Sequence, residues 1–297
     1  MGLRWGGGVS FLDRLQEIHR IVRDARADVE PVRLDPASAR ARLQAGQPLL
    51  SGMSVPVDAR AAGRILDEIC GILGTPEAVH LRAAAKERPI PFQAVAEAVV
   101  AGQDPRFEEG GVPPEFTAFV LLASLRPSFR RHAEYLRPLA EEAPWDRPTC
   151  PICGSVPALA ELRGEPGRRY LRCALCEGAW RVPRLRCPVC GTTDHTQLRF
   201  LRIEHDLEMR LDLCEACRRY LKTRILPGGE AETDPFGRDL ATLHLDVLAR
   251  EQGYIGASQP ASLSATCSQM QHASRADRSR ADPTPTSGCR PRPGQVP

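Results

Sequence analysis

Aromatic residues are scarce in this chain: Phe, Trp and Tyr together make up 5% of its 297 residues. Its cores must therefore rest on Leu, Val, Ile and Ala. Long hydrophobic runs are missing as well. The longest apolar-looking segment, residues 118–125, is far short of the roughly 20 residues that cross a bilayer, so no membrane insertion is expected. The N-terminal stretch is Gly-rich, with no apolar segment before Asp13, so no secretory signal is expected either. A strong charge bias is also absent. The net charge of +3 is too mild to require a polyanionic partner. There is no His-Glu-x-x-His, no Walker loop and no Gly-x-Ser-x-Gly, and an enzyme is not indicated.

What the chain does have is cysteine in pairs. Eight of its eleven cysteines lie in residues 150–217, as Cys150/Cys153, Cys173/Cys176, Cys187/Cys190 and Cys214/Cys217. The gaps between pairs are 19, 10 and 23 residues, a rhythm that predicts two tandem units, each a pair, a spacer and a pair. Secreted disulfide scaffolds are usually short and spread their cysteines more evenly, whereas i, i+3 is the spacing of metal knuckles. One Cys-x-x-Cys alone could be a redox dithiol, but four in two units fit two tetrahedral four-cysteine sites. Three pairings of the knuckles are open. Sequential pairing, first with second and third with fourth, is favoured because each spacer reads as a hairpin that returns the chain. Such sites suit zinc or iron, and a reducing, cytoplasmic setting follows.

A thiolate pair at this spacing wraps a tight turn round a cation. Pro after the first Cys pre-sets the turn, and Gly after the second tolerates the left-handed conformation that closes it. Cys150-Pro151-Ile152-Cys153-Gly154 and Cys187-Pro188-Val189-Cys190-Gly191 have both features. In the other two knuckles Glu177 and Arg218 stand where Gly is expected, which predicts less tightly specified turns.

Residues 10–143 read as a helical domain of about six or seven helices. Ser10 can cap a helix with Phe11, Leu15, Ile18 and Val22 on one face. Asp35-Pro36 and Thr75-Pro76 open others, and Gly74 ends the stripe Ala61, Ile65, Leu66, Ile69, Ile72, Leu73. Pro91 opens a helix from Phe92, Pro113-Pro114 opens the most apolar one over 116–125, and Pro127 opens the last. Residues 147–185 and 186–228 are the two metal units, and 234–255 is a closing helix with an apolar stripe of Leu240, Leu243, Val247 and Leu248. Within the second unit, 198–203 and 208–213 alternate as the two arms of a hairpin. Residues 258–297, rich in Ser, Pro, Arg and Ala, read as a disordered tail; Cys267 and Cys289 in it have no assigned role. Cys70 reads as a buried apolar residue, His19, His80 and His132 as surface or core residues, and His195 and His205 as bystanders of cysteine sets already complete.

Residues 147–228 carry 15 Lys/Arg against 9 Asp/Glu, formally +6. Two four-cysteine sites with divalent ions would each carry −2, so much of this basicity reads as compensation for anionic centres. The run Arg168, Arg169, Arg181, Arg184, Arg186, Arg218, Arg219 and Lys222 also admits a zinc-ribbon nucleic-acid binder, and redox-active iron admits a rubredoxin-like electron carrier.

Several segments resemble the FdhE family, the formate dehydrogenase accessory proteins. They are Cys150-Pro151-Ile152-Cys153-Gly154-Ser155, then Tyr170-Leu171-Arg172-Cys173 running to Glu177 with Trp180 beyond it, and Cys214/Cys217 with Tyr220-Leu221-Lys222. Asp239-Leu240-Ala241-Thr242-Leu243 and Glu251-Gln252-Gly253-Tyr254 complete the set. The resemblance runs from about Thr149 to Ile255 and is architectural before that. It implies a helical bundle, two tandem rubredoxin-like four-cysteine units with small β-hairpins, and a C-terminal helix. It further implies a non-enzymatic cytoplasmic assembly factor that binds the formate dehydrogenase catalytic subunit before export. All eight module cysteines would be ligands to two metal ions, iron by family likeness or zinc. No nucleic-acid partner is expected, and a homodimer is left open.

Overall fold

Among the described residues, four of the six helices in the N-terminal half open on a side-chain cap. The computed structural model describes residues 10–259 apart from 106, 108, 109, 143, 204 and 205. Helix α1 (Phe11–Asp24) begins with a capping box: the Ser10 hydroxyl accepts from the Asp13 N–H at 3.1 Å, and the Asp13 carboxylate accepts from the Ser10 N–H at 2.9 Å. Asp35, Asp58 and Thr75 cap α2 (Pro36–Gln44), α3 (Ala59–Leu73) and α4 (Pro76–Glu87). Gly74 then closes α3 in the left-handed conformation, φ 60°. Helices α5 (Phe92–Val100) and α6 (Pro114–Glu141) complete the bundle.

Pro127 does not open a helix. Helix α6 runs unbroken for 28 residues with Pro127 and Pro138 inside it. An interior proline costs about 3 kcal/mol through a lost hydrogen bond and a clash with the preceding turn. Keeping both halves on one axis buries Val120, Leu121, Leu125, Phe129 and Leu136 completely. At about 1.5–3 kcal/mol for each large apolar side chain, that burial outweighs the proline.

Beyond α6 the chain forms one mixed sheet. Its strands are β1 (Pro157–Arg163), β2 (Arg168–Cys173), β3 (Ala179–Arg181), β4 (Leu198–Ile203), β5 (Asp206–Cys214), β6 (Arg219–Leu226) and β7 (Ile255–Gly256). Their order is β3-β2-β1-β6-β5-β4, with β7 also paired to β6. The hairpin read from the alternation of 198–203 and 208–213 is β4–β5, antiparallel, with Met209, Leu211 and Leu213 buried. No local pattern signals that the two hairpins join. They do so through β1 and β6, which run parallel with Leu159 opposite Lys222 and Arg163 opposite Leu226.

The apolar core follows this joining. One cluster extends from the helices into the first metal unit and includes Leu49, Leu50, Leu121, Ile152, Leu171, Leu175 and Trp180. Backbone bonds reinforce it, for the Leu49 and Leu50 N–H groups donate to the Pro151 and Ile152 carbonyls, both at 2.8 Å. A second, smaller cluster joins Met209, Leu211, Leu213 and Tyr220 to Leu245, Ala249 and Tyr254.

The closing segment is two short helices, α7 (Pro235–Ala241) and α8 (Leu243–Glu251). The break at Thr242 shifts the phase of the apolar face. Phe236, Leu245 and Ala249 are buried, while Val247 is 57% and Leu248 37% exposed, so the expected stripe is not the packed one. Helix α7 meets α1 through the His19–Asp234 pair at 2.8 Å, and α8 covers the second metal unit. Residues 260–297, with Cys267 and Cys289, lie outside the described residues, as does His205. Among the described residues no helix is long and apolar enough to cross a membrane.

Candidate metal centres

The fold gathers the eight cysteines into two sets. The Sγ atoms of Cys150, Cys153, Cys173 and Cys176 lie within 4.8 Å of one another, and so do those of Cys187, Cys190, Cys214 and Cys217. This is the sequential grouping of knuckles. All eight are free thiols. A tetrahedral site with metal–sulfur bonds of about 2.3 Å separates its sulfurs by about 3.8 Å. The second set has Cys187–Cys217 and Cys190–Cys214 at 3.7 Å. The first is slightly tighter, with Cys150–Cys176 at 3.5 Å and Cys153–Cys173 at 3.4 Å. Four soft donors at these separations fit one zinc or iron ion per set and leave no coordination position for water.

The four knuckles share one backbone solution. The residue after the second cysteine is left-handed in each: Gly154 at φ 79°, Glu177 at 61°, Gly191 at 78° and Arg218 at 54°. Glu177 and Arg218 therefore occupy the glycine position in conformation as well as in sequence, while the N–H groups of Gly154 and Gly191 also close their turns on the Cys150 and Cys187 carbonyls at 2.9 and 3.0 Å. Two side-chain anchors hold these strained residues in place. Arg218 donates to Glu215 at 2.5 Å and to the Gln252 carbonyl at 2.6 Å, and its guanidinium stands 3.9 Å over the Tyr254 ring. Glu177 faces Arg130 of α6 at 3.7 Å. Backbone N–H groups point at the sulfurs, as the tight turn requires: Leu175 and Cys176 donate to Cys173 Sγ, and Val189 to Cys187 Sγ, all at 3.4 Å.

The two sites differ in exposure. Every cysteine of the first is buried, whereas Cys190 of the second is exposed and Cys217 half-buried. In the first site burial drives the Cys153 thiol well above its ordinary range. Cys173 falls well below its own despite burial, because the thiols of Cys150, Cys153 and Cys176 and the Leu175 N–H donate to it. A bound cation would extend that ionisation to the full set.

An arginine lies near each set, half-buried Arg126, whose guanidinium stands 4.7 Å over the Phe236 ring, and buried Arg169. Arg126 of α6 is pulled below the ordinary arginine range by burial, and Glu177 and Cys173 oppose that pull. Arg169 of β2 is lowered by burial in the same way, opposed by Asp212 and Cys187. The Nε atoms of both lack a hydrogen-bond partner among the described residues. Asp212 already pairs with Arg169 at 2.8 Å, and a tetrathiolate site of charge −2 beside either arginine would add to its compensation, where four neutral thiols would not. The donor set and its counter-charges thus both fit an anionic metal centre.

Among the described residues, no histidine joins either set, nor does Cys70. His195 lies in a short 3-10 turn (His195–Gln197) and supplies no atom to either set. His132 is fully buried; Val32 N–H donates to its Nδ1 at 3.1 Å and its Nε2 lies 2.8 Å from the Pro56 carbonyl. Cys70 is buried in the helical core, and burial pushes its thiol up to about 11.

Fold and sites together define a class: a helical bundle fused to a sheet that carries twin four-cysteine centres. Residues 149–184 match the family model described as the FdhE central domain, and residues 185–263 that of the FdhE C-terminal domain. A protein of Aquifex aeolicus described as an FdhE homolog is 27% identical over 255 residues, 83% of this chain and 85% of that one. An FdhE homolog of Pseudomonas aeruginosa is 36% identical over 118 residues, 37% of each chain. The crystal structure of the FdhE protein from Pseudomonas aeruginosa is similar with a TM-score of 0.54 at 28% identity, covering 84% of this chain and 85% of that one. The chain is thus similar to FdhE proteins, in sequence across its metal module and in fold over most of its length.

Proposed function

We propose that this protein is a non-catalytic cytoplasmic accessory factor for formate dehydrogenase, which binds the enzyme's catalytic subunit before export. The observation that carries the reading is the pair of closed four-thiol sites in a segment, residues 149–263, that matches the FdhE family models. In this reading Cys150, Cys153, Cys173 and Cys176 hold one metal ion, and Cys187, Cys190, Cys214 and Cys217 hold a second. Zinc there would fix the fold alone; iron would also let a site change charge by one electron. The sites are welded to the rest of the protein by the shared sheet and core, so each ion organises a docking surface rather than a reaction centre. The arginine run that suggested a nucleic-acid binder is largely engaged internally. Arg169 pairs with Asp212 at 2.8 Å, Arg186 with Asp146, Arg218 with Glu215, and Lys222 with Asp246 at 2.6 Å.

The test is capture of the catalytic subunit by the purified, metal-loaded protein, together with formate oxidation in a strain lacking it. The reading expects a stable complex and lost formate oxidation. No complex, together with undiminished oxidation, would overturn it.

A further inference from the structure

A cleft of about 1100 Å³ opens between the C-terminal end of α6 and the strand β3. We propose that it takes an extended segment of the client subunit, with acidic side chains at every second position, as an added strand on β3. This rests on the reading under Proposed function and names the surface through which that reading works.

Strand β3 is the edge of the sheet. The Cys173 N–H donates to the Gly178 carbonyl at 2.9 Å and the Val182 N–H to the Arg169 carbonyl at 3.0 Å. In an antiparallel ladder the direction of bonding alternates, so Ala179 and Arg181 point their N–H and C=O groups away from β2, along the cleft. An unpaired edge of this kind is the template for strand addition.

Side chains decide which segment fits. Tyr170 lies opposite Arg181 across the ladder, and Arg168 shares that face two residues along β2. Arg168 and Arg181 are exposed, and their side chains form no ion pair or hydrogen bond among the described residues. Arg137 of α6, also exposed and without such a partner, lines the same cleft. The acidic side chains on the walls are Glu141, Glu142 and Glu177, against seven arginines. Residues of an added strand opposite Ala179 and Arg181 would stand on the arginine face, hence the acidic alternation. The residue between them would meet Trp180, which is 5% exposed and whose Nε1–H has no partner among the described residues. The chain's own residues 260–297 are the wrong occupant by charge, with five arginines against two aspartates.

The probe is a fluorescent eight-residue peptide alternating Glu and Val, titrated into the full-length protein, with an alternating Lys-Val peptide as control. The proposal expects the acidic peptide alone to bind, more weakly as salt rises. It expects R168E/R181E to weaken binding about ten-fold or more. A179P should weaken it too, by deleting an outward N–H and leaving the ladder and the charge intact, while R60E on α3 should not. Unchanged metal content of each variant separates these effects from misfolding. An acidic peptide that does not bind, or binds R168E/R181E as well as the parent, overturns the proposal. The same variants are then used to capture the catalytic subunit. Capture undiminished by R168E/R181E overturns the cleft alone, whereas no capture by the parent protein overturns the functional reading.

Discussion

Glu177 and Arg218 stand at the same point of their knuckles, one residue past the second cysteine, and both are left-handed, with φ of 61° and 54°. Side chains carry a steric cost there that glycine avoids, about 1 kcal/mol or somewhat more. Alanine would keep the strain and remove the anchor, while glycine would remove both. Arg218→Gly should therefore be more stable than Arg218→Ala by about 1 kcal/mol, and Glu177→Gly more stable than Glu177→Ala by a similar margin. Denaturant midpoints of the four variants check this. Equal stability within each pair would mean that the left-handed turns are not maintained in solution.

His132 makes stability depend on pH. With Val32 N–H donating to Nδ1, the ring proton sits on Nε2 facing the Pro56 carbonyl. A second proton would have to enter at Nδ1, against an N–H and inside the core. Burial accordingly pulls its affinity for a proton below the ordinary value of 6.5. The unfolded chain thus binds the proton first as pH falls. The contribution is fully present above about pH 6.5 and is lost as pH falls through the folded-state value, with a slope of at most about 1.4 kcal/mol per pH unit. Unfolding free energies between pH 7 and 5 should fall more steeply for the parent protein than for His132→Gln.

Lys222 is a buried cation between two helices. Its Nζ reaches Asp246 at 2.6 Å, the Asp239 carbonyl at 2.9 Å and the Asp239 carboxylate, tying β6 to α7 and α8. Replacing it with Met leaves both carboxylates without that partner. The expected loss is about 3–5 kcal/mol, read as a lower denaturant midpoint. The exposed Arg20–Glu17 pair provides the contrast, since Arg20→Met should leave the midpoint unchanged.

Exposure should set the kinetics of the two metal sites. Cys190 is open to solvent, while the first set is wholly buried. Treatment with a chromogenic chelator should release one ion quickly and the other slowly. Cys190→Ser should abolish the fast phase and leave the slow one. Two ions leaving in a single phase would contradict the difference in burial.

The parts of this fold that were legible in the sequence are those governed by local chemistry. Ser10, Asp35, Thr75 and Gly74 mark helix ends because caps act within a few residues. The four cysteine pairs mark two sites because metal knuckles are themselves local. What stayed hidden depends on distant packing. Pro127 reads as a helix start, yet the burial of Leu125 and Phe129 on either side carries the helix through it. Strand β6 escaped notice because Tyr220, Leu221, Lys222 and Thr223 are all buried. A strand covered on both faces, holding a lysine and a threonine satisfied by Asp246 and Asp212, shows no alternation. With β6 unseen, the joining of the two units into one sheet was unseen too. Arg169 reads in the sequence as one member of a basic run, and only its burial beside Asp212 and the second cysteine set marks it as different.

The central claim is that the eight cysteines hold two metal ions in closed sites. The most direct measurement is the metal content of protein purified without oxygen, taken together with a thiol titration of the native state. The account predicts two ions of zinc and iron combined per chain, one for each four-thiol set, and one ion in Cys187→Ser/Cys214→Ser with the fold retained. A folded native chain that carries no metal and offers its cluster thiols to the titrant would contradict it.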